Sequence, residues 1–65
     1  MGALGFKDGS KKAKAAELLL RGATKEEILK VSGLSKNTLM RLLNQLKHRS
    51  DLSLTRKTVY YVERQ

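Results

Sequence analysis

Between Thr24 and Ser35 the chain has room for one helix of about two turns, and this spacing constrains the fold more than any other feature. Thr24-Lys25-Glu26-Glu27 fits a capping box, in which the threonine oxygen accepts from the third backbone amide and Glu27 reaches back to the cap. The helix so opened carries Ile28, Leu29 and Val31 and meets Gly33, a residue type that takes a left-handed φ without a Cβ penalty. Ser35 caps the next helix two residues later, so the bend between the two helices is tight.

The flanking segments are as well marked. From Ser10, a plausible cap, Ala13, Ala16, Leu19 and Leu20 recur at helical spacing while Lys11, Lys12, Lys14, Glu17 and Arg21 turn mostly outward, and Gly22 ends a helix over residues 11–21. The helix after Ser35 runs over residues 36–48, with Leu39, Leu42, Leu43 and Leu46 in one narrow arc that forms a buried seam. On its opposite side Asn37, Arg41, Asn44 and His48 fall at i, i+4, i+7 and i+11, flanked by Met40 and Gln45. After Arg49-Ser50-Asp51 the period changes to two: Leu52 and Leu54 alternate with Ser53, and Thr58-Val59-Tyr60-Tyr61-Val62 is β-branched and aromatic. Thr55-Arg56-Lys57 is short enough to be the turn between two strands, and Tyr60 and Tyr61 point to opposite faces. The order predicts an α+β, mainly α, fold: three helices with a helix-turn-helix, then a C-terminal two-stranded β-hairpin wing.

At 65 residues and 7.3 kDa this is one small domain over 10–65, preceded by a flexible arm over 1–9 in which three glycines fall and no periodic pattern begins. Without cysteine there is neither a disulfide framework nor a thiolate zinc site, so aliphatic packing must supply the core. The longest apolar run, Leu18-Leu19-Leu20, is far short of a membrane span, and the first residues lack the charge and apolar centre of a secretion signal, so a cytoplasmic or nucleoid-associated location is expected. Glu26 and Glu27 are adjacent and do not face each other across a helix. With no nucleophile–base set, glycine-rich phosphate loop or cluster of metal ligands, no catalysis, cofactor, metal or small-molecule ligand is expected. A lone histidine near a helix C-terminus, His48, more often meets the last carbonyls than a metal. The net charge of +8 and pI near 10.2, with only three aromatics, point to a polyanionic partner.

The stretch Ile28 to Leu46, above all Ser32-Gly33-Leu34-Ser35-Lys36-Asn37-Thr38, resembles the winged helix-turn-helix regulators of bacteria and phages, and its turn is similar to that of isocitrate-lyase-regulator-type repressors. The resemblance spans roughly 24–62. It implies Gly33 as the turn glycine, Ile28, Leu34, Leu39 and Leu42 as packing positions, and Ser35, Lys36, Asn37, Met40 and Arg41 as positions that face DNA. Leu29 and Ser32 depart from it, since such families often have alanine at the first position and a larger apolar residue at the second.

Groove chemistry gives the same residues roles of their own. Asparagine pairs bidentately with adenine and arginine with guanine, so Asn37, Arg41 and Asn44 are the candidates for base reading, with Met40 against a thymine methyl. Ser35, Lys36, Thr38 and Lys47 around the helix, and Arg56 and Lys57 in the wing, are the candidates for holding phosphates. The expected partner is double-stranded DNA, bound as a transcriptional regulator, and so small a module points to a homodimer on DNA for tight specific binding. Two rivals stay open: a winged helix whose outer face docks a protein partner, such as a phage factor on a host protein, and a sequence-indifferent architectural, packaging or RNA-binding protein.

Overall fold

A computed structural model of the chain describes residues 2–65; Met1, the first residue of the expected arm, lies outside them. Three helices, α1 (Lys11–Arg21), α2 (Lys25–Ser32) and α3 (Lys36–Lys47), precede two antiparallel strands, β1 (Leu52–Arg56) and β2 (Tyr60–Arg64). This is the α+β winged-helix arrangement that the sequence pattern predicts. Among the described residues no helix is long and apolar enough to cross a membrane.

Each helix starts on a hydroxyl. The side chains of Ser10, Thr24 and Ser35 accept from the backbone amides of Ala13, Glu27 and Thr38 at 3.1, 3.2 and 3.2 Å, which satisfies one orphan donor per helix. The other half of the expected capping box does not form. Glu27 turns its carboxylate to Arg21, 3.6 Å away, and so ties the start of α2 to the end of α1. The third helix closes one residue earlier than its periodicity suggests, with His48 as its cap and the His48 amide donating to the Asn44 carbonyl at 3.3 Å.

The core is aliphatic throughout. Ala15, Ala16 and Leu19 of α1, Ile28 of α2, and Leu39, Leu42, Leu43 and Leu46 of α3 are all buried, and Leu52 and Val62 of the hairpin close over them. The apolar face of α1 is wider than its expected stripe because that helix is covered by α2, by β2 and by the N-terminal residues. Ala15 and Leu18 are therefore buried too, while Leu20 is only partly covered. Small alanine side chains let these neighbours approach the α1 backbone closely, and that is how so short a chain encloses a core.

The hairpin is set further along the chain than expected. Its turn is Lys57-Thr58-Val59, and the register pairs Leu54 with Val62 and Arg56 with Tyr60. A turn at 55–57 would place Leu54 opposite Thr58; the observed register puts it opposite Val62, so that two apolar side chains share the inner face. The sheet also gains a third member that has no periodicity of its own. Ala23, between α1 and α2, exchanges both backbone hydrogen bonds with Tyr60, at 3.1 and 2.8 Å.

The expected arm is docked. Ala3–Gly5 form a 3-10 turn that buries Leu4, only 5% exposed, against the core. Arg49 holds this turn by donating from Nη1 to the Leu4 carbonyl at 2.9 Å, while its Nε and Nη2 donate to the two carboxylate oxygens of Asp51 at 3.1 and 2.8 Å. The Asp51 carbonyl in turn accepts from the amide of Gln65 at 2.9 Å. Both ends of the chain are thus gathered at the loop between α3 and β1. Glycine content suggested freedom here, but a single leucine with a core to cover outweighs it.

Two outcomes follow from this packing. Leu4→Ala is expected to lower stability by about 2 kcal/mol, read by urea unfolding followed by circular dichroism. The guanidinium of Arg49, hydrogen-bonded to Asp51, holds that carboxyl below the usual carboxylate range. A lowered folded pKa stabilises the protein above the unfolded value, near ~3.9, and the contribution disappears as pH falls through the folded one. The stability gap between the parent chain and Asp51→Asn should therefore be constant between about pH 6 and 8 and close below about pH 4. A gap that stays open in acid would assign it to something other than the carboxylate charge.

Candidate nucleic-acid interface

The connection between α2 and α3 is built by two residues. Gly33 takes φ 74° and ψ 11°, a left-handed conformation, and its amide donates to the Leu29 carbonyl at 3.0 Å. Ser32, buried, donates from Oγ to the Ile28 carbonyl at 2.5 Å and accepts from the Leu34 amide at 3.2 Å. Ser32 thus bonds to both sides of the turn, which no larger apolar side chain could do. Leu34 then packs against the core and Ser35 opens α3.

Four buried leucines fix the inner side of α3, so its outer side is presented in one orientation. Asn37, Arg41 and Asn44 are exposed along that side, and none of their side chains makes a hydrogen bond or ion pair among the described residues. Lys36 and Lys47 are exposed on one flank of this stripe, at i−4 and i+7 from Met40. At the start of the helix the hydroxyls of Ser35 and Thr38 lie 2.8 Å apart. Only one of them needs to donate to the other, so one O–H remains free for an anion whichever way the pair is arranged.

The wing splits between two places. Arg56, expected in the turn, is the last residue of β1, and its guanidinium crosses to α3, with Nη2 3.7 Å from Sδ of Met40. Lys57, in the turn, lines a shallow cleft with Thr24, Lys25, Glu26, Thr58 and Tyr60, beside the start of α2. Met40 is half-buried and packed on the core, so it serves the hairpin as well as the outer face. Its place at the flank of the polar stripe follows from the helical spacing; its pairing with Arg56 depends on the hairpin register and does not.

Lys25, beside Lys57, is a cation that helical pattern alone gave no reason to single out. Lys11, one of the N-terminal lysines that the sequence offers as a source of nonspecific attraction, has its aliphatic stem beside the Gly33 turn. Lys11 adds positive charge beside the α2–α3 connection, and Lys25 adds it beside the hairpin turn. The two ion pairs among the described residues, Arg21–Glu27 and Arg49–Asp51, involve none of the candidate residues. Nor does any group of three or more His, Cys, Asp or Glu side chains there have the geometry to hold a metal.

Compared with protein-family models, curated proteins and solved structures, the chain has no significant match.

The turn yields a stability test. A methyl group at Gly33 would meet only the Lys11 stem, at 3.8 Å, so the penalty for Gly33→Ala comes from the left-handed backbone rather than from crowding. A loss of about 1 kcal/mol is expected in thermal or urea unfolding, and Gly33→Asn should lose less, because asparagine tolerates this conformation better than alanine does.

Proposed function

We propose that this chain binds double-stranded DNA sequence-specifically and acts as a small transcriptional regulator, in the cytoplasm or on the nucleoid. In this reading α3 lies in the major groove, where Asn37, Arg41 and Asn44 meet base edges. Ser35, Lys36, Thr38 and Lys47 hold the flanking phosphates, and Lys57 in the wing meets the backbone. The chain supplies no catalytic group to this function and requires no cofactor.

The observation that carries the reading is the outer side of α3. A solvated helix face ordinarily mixes both signs of charge, whereas this one presents two asparagines and an arginine free of partners, flanked by lysines and without a single carboxylate. Amide and guanidinium groups are the side chains that discriminate bases by paired hydrogen bonds, and a helix anchored by four buried leucines presents them from a fixed backbone. One domain of this size covers little DNA, so tight specific binding requires two copies on neighbouring half-sites.

A protein-binding role has one observation in its favour. Val31 is 52% exposed and lines a surface groove with Lys14, Glu17, Leu18 and Arg21, on the α1–α2 side of the molecule. The residues that line that groove belong to α1 and α2 and include none of the α3 stripe, so a protein partner there is compatible with DNA on α3.

Selection of a random duplex library on the purified chain at roughly physiological salt tests the reading, and an enriched motif is expected. On that motif Arg41→Ala should cost about 1–3 kcal/mol and relax preference at one base pair, while Lys57→Ala should weaken all sequences alike and reduce the salt slope by about 1. Binding without enrichment, or equal losses on selected and random duplexes for both variants, would reduce the interaction to charge-driven association.

A further inference from the structure

Arg56 stands opposite Tyr60 in the hairpin, so both side chains share the inner face of the sheet, the face turned to the helices. The guanidinium carbon lies 5.8 Å from the centroid of the Tyr60 ring, and Nη2 reaches Sδ of Met40 at 3.7 Å. Tyr60 and Met40 are both half-buried and packed against the core, and Tyr60 is further pinned through its backbone to Ala23. Arg56, itself exposed, therefore lies against two side chains that are packed on the core, and no carboxylate pairs with it among the described residues.

The place where it is held matters. On a helix the neighbours of Met40 at i−3 and i+4 are Asn37 and Asn44, so a guanidinium at Met40 lies beside the polar stripe of α3. A phosphate contact at a wing tip needs only a flexible charge, which Lys57 in the turn provides. A planar fork set over a ring and beside the polar stripe of α3 has the shape that pairs with two acceptors of a guanine edge.

We infer that Arg56 is a specificity-determining residue: a guanidinium oriented by Tyr60 and Met40 that reads a base alongside Asn37 and Asn44. The inference rests on the DNA-binding reading and adds to it a second source of base contacts, from the hairpin. Tyr60 is the positioning residue, acting through Arg56.

Two measurements on the full chain test it. In the free protein, NMR should find the Arg56 side-chain protons shifted upfield by the Tyr60 ring current, a shift kept in Tyr60→Phe and lost in Tyr60→Leu. Affinities are then compared on a duplex carrying the motif enriched by the parent chain and on a scrambled duplex. Arg56→Lys keeps the charge but loses the fork, and should weaken the enriched duplex by about tenfold and the scrambled one by less than about twofold, with the salt slope unchanged. Tyr60→Leu should weaken the enriched duplex by about three- to fivefold, with Tyr60→Phe restoring it. Should Tyr60→Leu fail to fold, Arg56→Lys decides.

Arg56→Lys within twofold of the parent on both duplexes overturns the inference, since Arg56 is then only a charge. Tighter binding by Tyr60→Leu also overturns it, because the stack would then be a resting contact that DNA must break. Unshifted Arg56 protons remove the preorganisation on which it stands. Failure of the parent chain to enrich any motif brings down the DNA-reading proposal itself, whereas an enriched motif with an unresponsive Arg56→Lys brings down this inference alone.

Discussion

The leucine seam of α3 is the interaction on which the rest of the structure depends. Leu39, Leu42, Leu43 and Leu46 are buried to within 1% of complete, and each contributes about 1.5–3 kcal/mol by leaving water. A domain of 65 residues buries only about 60% of the surface its unfolded chain exposes, so it has no reserve with which to replace them. Because the seam uses one side of the helix fully, the other side is released from any packing duty and can carry amides and cations without a stability cost. Ala15 and Ala16 of α1 join these leucines in a single buried cluster.

Around that seam, short backbone devices convert packing into orientation. The hydroxyl of Ser32 and the left-handed Gly33 set the direction in which α3 leaves α2, and the Ala23–Tyr60 pair sets the hairpin against the helices. Arg49 does the same for the chain ends by holding the Leu4 carbonyl and the Asp51 carboxylate at once. None of these contacts buries much area. Each removes one degree of freedom that hydrophobic contact, being non-directional, leaves open.

What was legible in the sequence was whatever repeats or punctuates. The helix limits could be read because Ser10, Thr24, Ser35, Gly22 and Gly33 mark them chemically, and the α3 seam because four leucines at helical spacing admit one solution. The hairpin register could not be fixed, since turns at 55–57 and at 57–59 both keep Leu54 and Val62 on the inner face, and only their apposition favours the second. A single-residue strand such as Ala23 has no period to detect. Leu4 was hidden by its glycine neighbours, and the Arg56–Met40–Tyr60 contact by its dependence on that unfixed register. At the candidate interface, then, the residues of α3 could be read from periodicity, while the placement of the wing residues relative to them required the three-dimensional pairing.

The distribution of charge separates what stabilises from what is available to bind. Exposed ion pairs contribute little, about 0–1 kcal/mol, so a chain gains almost nothing by pairing every cation and loses little by leaving some alone. Among the described residues two pairs form, both at structural corners: Arg21–Glu27 where α1 meets α2, and Arg49–Asp51 where the Ala3–Gly5 turn meets the loop after α3. Lys36, Arg41 and Lys47 share a helix with no acid at all, and Arg56 rests on a ring and a thioether instead of a carboxylate. Those contacts orient a guanidinium without neutralising it. In the proposed DNA-binding role that arrangement is an advantage, because an incoming phosphate or base edge would have no carboxylate to displace.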